Sequence, residues 1–535
     1  MASTADTVAD IDDQPLSPSG TLVEKANHQA PPSYSHNGGP CSCSGSWSYP
    51  TKDSTSIKRP PRPSSLSSID EVLSPEVRDT IHQTIEDLSP SLRELSDYIW
   101  NNPEDGFKEY KAHDALTTYM ESKGFRVTRH YAKLDTAWRA EYTRGQGGRV
   151  IGVNSEMDAL PGLGHACGHN LIAVSGIAVA VALKAAIDKH DVPATIILLG
   201  TPAEEFGNGK TRLLERGAYK DMDVCVMSHP GPGSPNGAYM APWMALQNLE
   251  VEFIGHSAHA AYSPWEAQNA LDAAFLAYSN VSVLRQQMKP TSRVHGIVTG
   301  KDWQPNVIPD YAKMRWIVRA PTFAEVEELR TRVTACFEAA ELTSYFRAAA
   351  LATGCKVKIE LGEAYYDVRQ STVLSDEFCR IAETHLGMVT EEVQTSLPAS
   401  SDFPFDLTMM SRPYRVLSHT VSPKRISSIP IDALTQDPIR SHLALQLKAI
   451  PSIQPVVGVR IQPNGGNHTP QFAETARTPE AHDSCMKVAK ALAMTAFRVA
   501  DDARFYLQVK QSFEDSKIEI DLPHAQKAST QPNTL

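Results

Sequence analysis

The chain has 535 residues, more than one ordinary hydrophobic core accommodates, so two folded domains plus tails are expected. Hydrophobic residues make up 41 %, and 51 Lys+Arg against 62 Asp+Glu give a formal net charge of −11. That balance argues against a nucleic-acid partner, which wants a basic face. No run reaches the roughly 20 apolar residues needed to span a bilayer, so no membrane partner is expected. The acidic start lacks the basic and apolar segments of a secretory signal. The eight cysteines are scattered, which fits a reduced, cytoplasmic setting.

Residues 1–72 are rich in Ser, Pro, Asp and Gly and bury too little apolar surface to offset chain entropy. A disordered tail is expected there, with Cys41 and Cys43 as free thiols. Amphipathic helix patterns follow over Pro75–Trp100 and Lys111–Lys123. Short apolar runs then read as strands, at Val150–Val153, Ala194–Leu199 and Asp223–Met227. The long apolar run Leu171–Ile187 carries Lys184 and reads as a buried helix. Strands alternating with helices predict an α/β domain, a mostly parallel sheet with helices on both faces.

The period changes after Ala241. Strands are expected at Leu246–Ile254, Arg293–Thr299, Tyr311–Val318 and Lys356–Leu361, and helices at Pro264–Met288 and Phe323–Leu342. That order is βαββαβ, a small inserted domain. Helix-rich α/β sequence resumes near Thr372 and ends in one long helix, about Pro479–Phe513. The expected organisation is a catalytic domain in two parts, 73–242 and 365–516, an inserted domain over 243–364, and a flexible tail over 517–535.

The chemistry-bearing residues fall just after the three apolar strands. Glu156-Met-Asp158 and Gly164-His165-Ala-Cys167-Gly-His169-Asn follow the first. Thr201-Pro-Ala-Glu204-Glu205 follows the second, and Ser228-His229-Pro230 the third. Open α/β sheets bind ligands at the carboxyl ends of their strands. Singly, Cys167 reads as a small buried residue, His165 as a structural histidine and Glu204-Glu205 as solvated surface. Together they read as a pair of metal ions, for which imidazole, thiolate and carboxylate suit zinc and also admit manganese or cobalt. Two metals about 3.5–4 Å apart polarise a carbonyl and lower the pKa of a shared water. Neighbouring acids in extended chain point opposite ways, so one of Glu204 and Glu205 is expected to ligate and the other to handle protons.

On Gly-His-Ala-Cys-Gly-His-Asn, Thr-Pro-Ala-Glu-Glu, Asn102-Pro-Glu-Asp-Gly-Phe and Gly255-His-Ser-Ala-His259-Ala-Ala, the sequence resembles the aminoacylase/carboxypeptidase family of metallopeptidases. The nearest branch is the amidohydrolases, and within it the dipeptidase-like members. The resemblance covers Pro75–Phe403 and Pro451–Ser516. It implies a zinc-peptidase-like catalytic domain with an inserted lid and dimerisation domain, and hence a homodimer. It implies that Cys167, His169, Glu205, His229 and, from Asn467-His468-Thr469, His468 bind the metals, with Glu204 as general base. It also implies that His259 of the lid meets the oxyanion, and that Asn306 and Arg319 hold the substrate's amide and carboxylate. A turn cap and a surface ion pair are the plain alternatives for the last two. The expected activity is hydrolysis of the amide bond of N-acyl or aminoacyl amino acids or dipeptides.

The stretch Pro404–Lys448 departs from the family's register, and Gln454 stands where relatives have histidine. The stretch reads either as an insertion beside the site or as intron-derived sequence. A scaffold protein with a spoiled pocket and a hydrolase of a specialised-metabolite amide are the rival functions. Side-chain pockets are expected to be lined by the lid and by loops such as Pro230–Trp243.

Overall fold

The computed structural model describes residues 73–338, 353–393, 396–397, 399–401 and 450–520. The tail 1–72, the stretch Pro404–Lys448 and residues beyond 520 lie outside the described residues. Helix α1 (Pro75–Asn101) starts where Ser74 accepts the Val77 amide and Pro75 takes the first turn. Its buried stripe runs through Val77, Ile81, Ile85, Leu88, Leu92 and Ile99, the spacing of one helix face. Helix α2 is Tyr110–Ser122.

The central sheet is built from β1 (Arg126–Thr128), β2 (Trp138–Arg144), β3 (Arg149–Glu156), β4 (Ala194–Thr201), β5 (Val224–Val226) and β13 (Ser452–Ile453). Their order is β1-β2-β4-β3-β5-β13. Strands β4, β3, β5 and β13 run parallel; β2 pairs antiparallel with β4, and β1 antiparallel with β2. On β4, Ile196 and Leu198 face one core while Ile197 and Leu199 face another. Both sheet faces are covered, which is why these strands read as unbroken apolar runs.

Helix α3 (His169–Lys189) is buried on nearly every side between the sheet, α1 and a C-terminal helix. It is long and apolar enough to cross a membrane, yet 89 % of that window is buried inside the fold. Gly176 lets α3 lie on β3, since a Cβ there would meet Ser155 Oγ at 2.2 Å and Asn154 O at 2.8 Å. Gly176→Ala is therefore expected to cost about 1–3 kcal/mol by overpacking. In a thermal melt this should appear as a Tm lower by about 2–10 °C; an unchanged Tm would show that helix and strand separate easily.

Helix α4 (Gly209–Glu215) follows β4. After β5 come two short strands, β6 (His229–Pro232) and β7 (Gly237–Met240), in the segment expected to be a loop. The inserted domain holds β8 (Ala245–Ile254), α5 (Ala270–Leu284), β9 (Arg293–Gly300), β10 (Tyr311–Ala320), α6 (Phe323–Glu338) and β11 (Lys356–Tyr365). Its sheet is antiparallel in the order β11-β8-β10-β9, with α5 and α6 packed on one face. Helix α5 begins six residues later than its apolar pattern, because Asn269 caps it by accepting the Leu271 and Asp272 amides.

The chain returns through α7 (Thr372–Leu386), β12 (Val389–Glu392), β13, β14 (Val456–Val459) and α8 (Pro470–Ala476). Strands β12, β7, β14 and β6 form a further small sheet in that order. The expected single last helix is two, α9 (Pro479–Asp501) and α10 (Ala503–Ile520). Asp502 between them is extended (φ −93°, ψ 101°), and its carboxylate caps α10 by accepting the Arg504 and Phe505 amides. Helix α10 also carries order four residues into the expected flexible tail.

Candidate metal centre

Because β3, β4 and β5 are parallel, their carboxyl ends open on one edge of the sheet. Glu156 ends β3 level with Thr201 on β4, and Asp158 follows. Cys167 and His169 flank Gly168, whose φ of +83° turns the chain into the first residue of α3. His229 begins β6 just past β5. His468 arrives from far along the chain because β14 pairs with β6, Val456 opposite His229, and the His468 amide then donates to Ala166 O at 2.8 Å.

The side chains converge. Cys167 Sγ lies 3.5 Å from His229 Nε2, and His468 Nε2 lies 3.3 Å from Glu205 Oε1. Donor atoms of Cys167, His169 and His229 lie within 4.8 Å of one another, as do those of Cys167, Glu205 and His468. Cys167 belongs to both groups. A third group joins Glu156, His169 and Glu204. Both adjacent acids approach His169 Nε2, Glu204 at 3.8 Å and Glu205 at 3.7 Å. They do not diverge as in extended chain, because the backbone is bent rather than extended over residues 204–207.

The electrostatics are those of a donor set built around cations. Burial pushes the Cys167 thiol up, but His229, His169 and His468 beside it pull it well below the usual thiol range. Burial pushes His169 down, yet Asp158, Cys167 and Glu156 hold it well above the ordinary imidazole value. Burial and the Cys167 charge raise Glu205 to about 7, against the pull of His468 and His169. His169 Nε2 is buried without a hydrogen-bond partner, and Glu205 Oε1 faces His468 Nε2. A thiolate, three imidazoles and a carboxylate, with a buried donor atom left over, fit two divalent ions of the zinc type.

Residues around this set orient it. His169 Nδ1–H donates to Asp158 Oδ1 at 3.1 Å, and the same carboxylate accepts the Glu205 amide at 3.0 Å. Asn467 Nδ2 donates to Pro230 O at 3.2 Å and faces Cys167 Sγ at 3.8 Å. The His229 ring stands edge-on to Trp243, centroids 5.2 Å apart. Buried Glu109 accepts the Ala203 amide at 2.8 Å and the Thr136 hydroxyl at 2.6 Å, fixing the turn before Glu204. Desolvation and the Asp158 charge raise Glu109 to about 7. From the inserted domain, Tyr365 Oη–H donates to Glu204 O at 3.2 Å. Of these, Asp158, Asn467 and Trp243 stood within stretches singled out in sequence, without a role of their own there. Glu109 and Tyr365 carry no local signal, since their partners are distant in the chain.

The remaining candidates divide. Arg319 lies within electrostatic reach of Glu204 and Tyr365, and its Nη1 donates to Ser400 Oγ at 2.8 Å. The surface ion pair that stood as the plain alternative is not found for this half-buried guanidinium among the described residues. His259 and Asn306 are exposed neighbours, linked through Ala260 N and Asn306 O at 3.0 Å. Among the described residues no hydrogen bond or ion pair joins either to the cluster. The register explains why. Arg319 pairs with Leu246 at the catalytic end of β8, whereas His259 follows the far end of this 10-residue strand. That is a separation of about 30 Å at roughly 3.3 Å per residue. His165 is buried, and burial and the His169 charge lower it to about 4. Gln454, where relatives have histidine, is also buried, and its backbone N–H donates to Gln370 Oε1 at 2.7 Å.

A family model described as peptidase family M20/M25/M40 matches residues 152–428. A mouse Xaa-Arg dipeptidase is 37 % identical over 475 residues, covering 86 % of this chain and 96 % of that protein. A human Xaa-Arg dipeptidase is 35 % identical over 448 residues, covering 81 % and 91 %. Among solved structures, an aminobenzoyl-glutamate utilization protein from Klebsiella pneumoniae aligns with a TM-score of 0.53 at 17 % identity. That alignment covers 78 % of this chain and 97 % of the other, and shows a common fold.

Proposed function

The chain belongs to peptidase family M20/M25/M40 and is a metal-dependent hydrolase of peptide or amide bonds, and from that membership we propose that it cleaves dipeptides with a C-terminal arginine. The observation that carries the reading is the convergence of Cys167, His169, Glu205, His229 and His468 at the carboxyl edge of the sheet. These five residues hold two divalent ions, zinc in the first place and manganese or cobalt as substitutes. Bound there, the ions supply Lewis acidity toward the scissile carbonyl and the attacking water. Glu204 accepts the proton of that water and returns it to the leaving amine. Arg319 binds the substrate's terminal carboxylate by charge-assisted hydrogen bonds.

The test is turnover of a panel of Xaa-Arg dipeptides, other dipeptides and N-acyl amino acids, each with and without chelator. Chelator-sensitive cleavage of Xaa-Arg substrates, and refusal of their C-terminal amides, is the expected result. A folded, metal-free and inert protein would sink the reading in favour of a scaffold.

We further propose a homodimer in which the partner's lid supplies His259 to the oxyanion and Asn306 to the substrate amide. The supporting features are the open edge strand β9 and exposed Phe275, Val283 and Ile297. Mixing inactive Glu204→Gln chains with inactive His259→Ala chains should restore turnover through hybrid dimers. No recovery from a mixture shown to exchange subunits would exclude shared sites.

A further inference from the structure

Lys210 is a fully buried lysine, 0 % exposed, in the second position of α4. Its Nζ lies 2.8 Å from Glu156 Oε1, and Glu156 is equally buried. The other oxygen of that carboxylate faces His169 Nε2 at 3.4 Å. Glu156, His169 and Glu204 form a set of donor atoms compact enough to hold a cation of its own. Left unopposed, Glu156 would be a competent metal ligand, and a metal drawn to it would engage Glu204 as well.

The charge around the centre points the same way. Five acidic groups are gathered there: Glu156, Asp158, Cys167, Glu204 and Glu205. Their burial forbids leaving several of them uncompensated. With the histidines neutral, as ligands must be, two divalent ions leave one negative charge over. Lys210 supplies its match.

We propose that Lys210 is the resident counter-ion of the metal centre: it pins Glu156, keeps that carboxylate out of the metal's ligand set, and so leaves Glu204 to proton transfer. This rests on the two-metal reading above. Lys210 touches neither substrate nor reacting atoms, and is a positioning residue.

The experiment compares wild type, Lys210→Met and Lys210→Met/Glu156→Gln for zinc content, zinc affinity by competition with a chelating dye, and turnover. Lys210→Met should bind zinc more tightly, by about tenfold or more, as a carboxylate joins the coordination. The same variant should lose turnover by about a hundredfold or more, as Glu204 is drawn from its role. The double variant should return to within about tenfold of wild type, the charge balance being restored. A lysine that merely fills space would give the opposite sign, looser zinc. Looser zinc, wild-type turnover in the single variant, or a double variant that is metal-loaded yet as slow as the single one would each overturn the proposal. Should Lys210→Met fail to fold, an active double variant supports it, and an unfolded or inactive one overturns it. A wild type that binds no zinc at all would instead count against the metal reading itself.

Discussion

Replacing Glu204 by Gln should lower kcat by about a thousandfold or more while the protein keeps both metals. The glutamine preserves shape and removes the proton acceptor. General-base catalysis is worth roughly 10²–10⁴ in rate, and this group would act twice in one turnover. Its carboxylate is buried, and its backbone is fixed from both sides. Tyr365 donates to the Glu204 carbonyl, and Glu109 holds the amide of Ala203 before it. Metal retention is expected because neither donor group containing Cys167 includes Glu204. The measurement is kcat at saturating substrate beside metal equivalents per chain. Turnover within about tenfold of wild type would dismiss Glu204 as the base. Loss of one metal equivalent would make it a ligand.

Cys167→Ala should remove both metals, abolish turnover and lower the melting temperature. The thiolate is the member common to the two donor groups, so its loss breaks both at once. His468 belongs to one group, and His468→Ala should therefore cost one metal and leave the other. Ions that bind only the folded chain stabilise it by mass action, so the melting temperatures should follow the metal count. A Cys167→Ala protein that retains a full complement of zinc would falsify the assignment of the sulfur as shared ligand.

The centre was legible in sequence to different depths. Cys167, His169, Glu204, Glu205 and His229 each follow an apolar strand closely, so the strand pattern alone gathers them. His468 entered only through resemblance. What carries it to the site is β14, a strand of 4 residues whose partner β6 reads His-Pro-Gly-Pro. Segments so short and so rich in Pro and Gly carry no period, and the small sheet they form was invisible. The Glu156–Lys210 and Glu109–Ala203 contacts join residues far apart in the chain, which no local pattern encodes. The inserted domain was readable because its strands alternate cleanly and its helices are long. What its sequence concealed is which end of each strand meets the catalytic domain, and that decides that Arg319 lies near Glu204 while His259 and Asn306 do not.

Asn467, adjacent to the last donor, reaches Cys167 across 300 positions of chain. A cation held by Cys167 and His468 is therefore a staple as well as a reagent. It closes a long loop of this polypeptide, and closing a long loop restricts the unfolded chain more than closing a short one. It also sets an order of events in biosynthesis. While the ribosome is still short of His468, the nascent protein has only part of its coordination shell, so full loading must await nearly the whole chain.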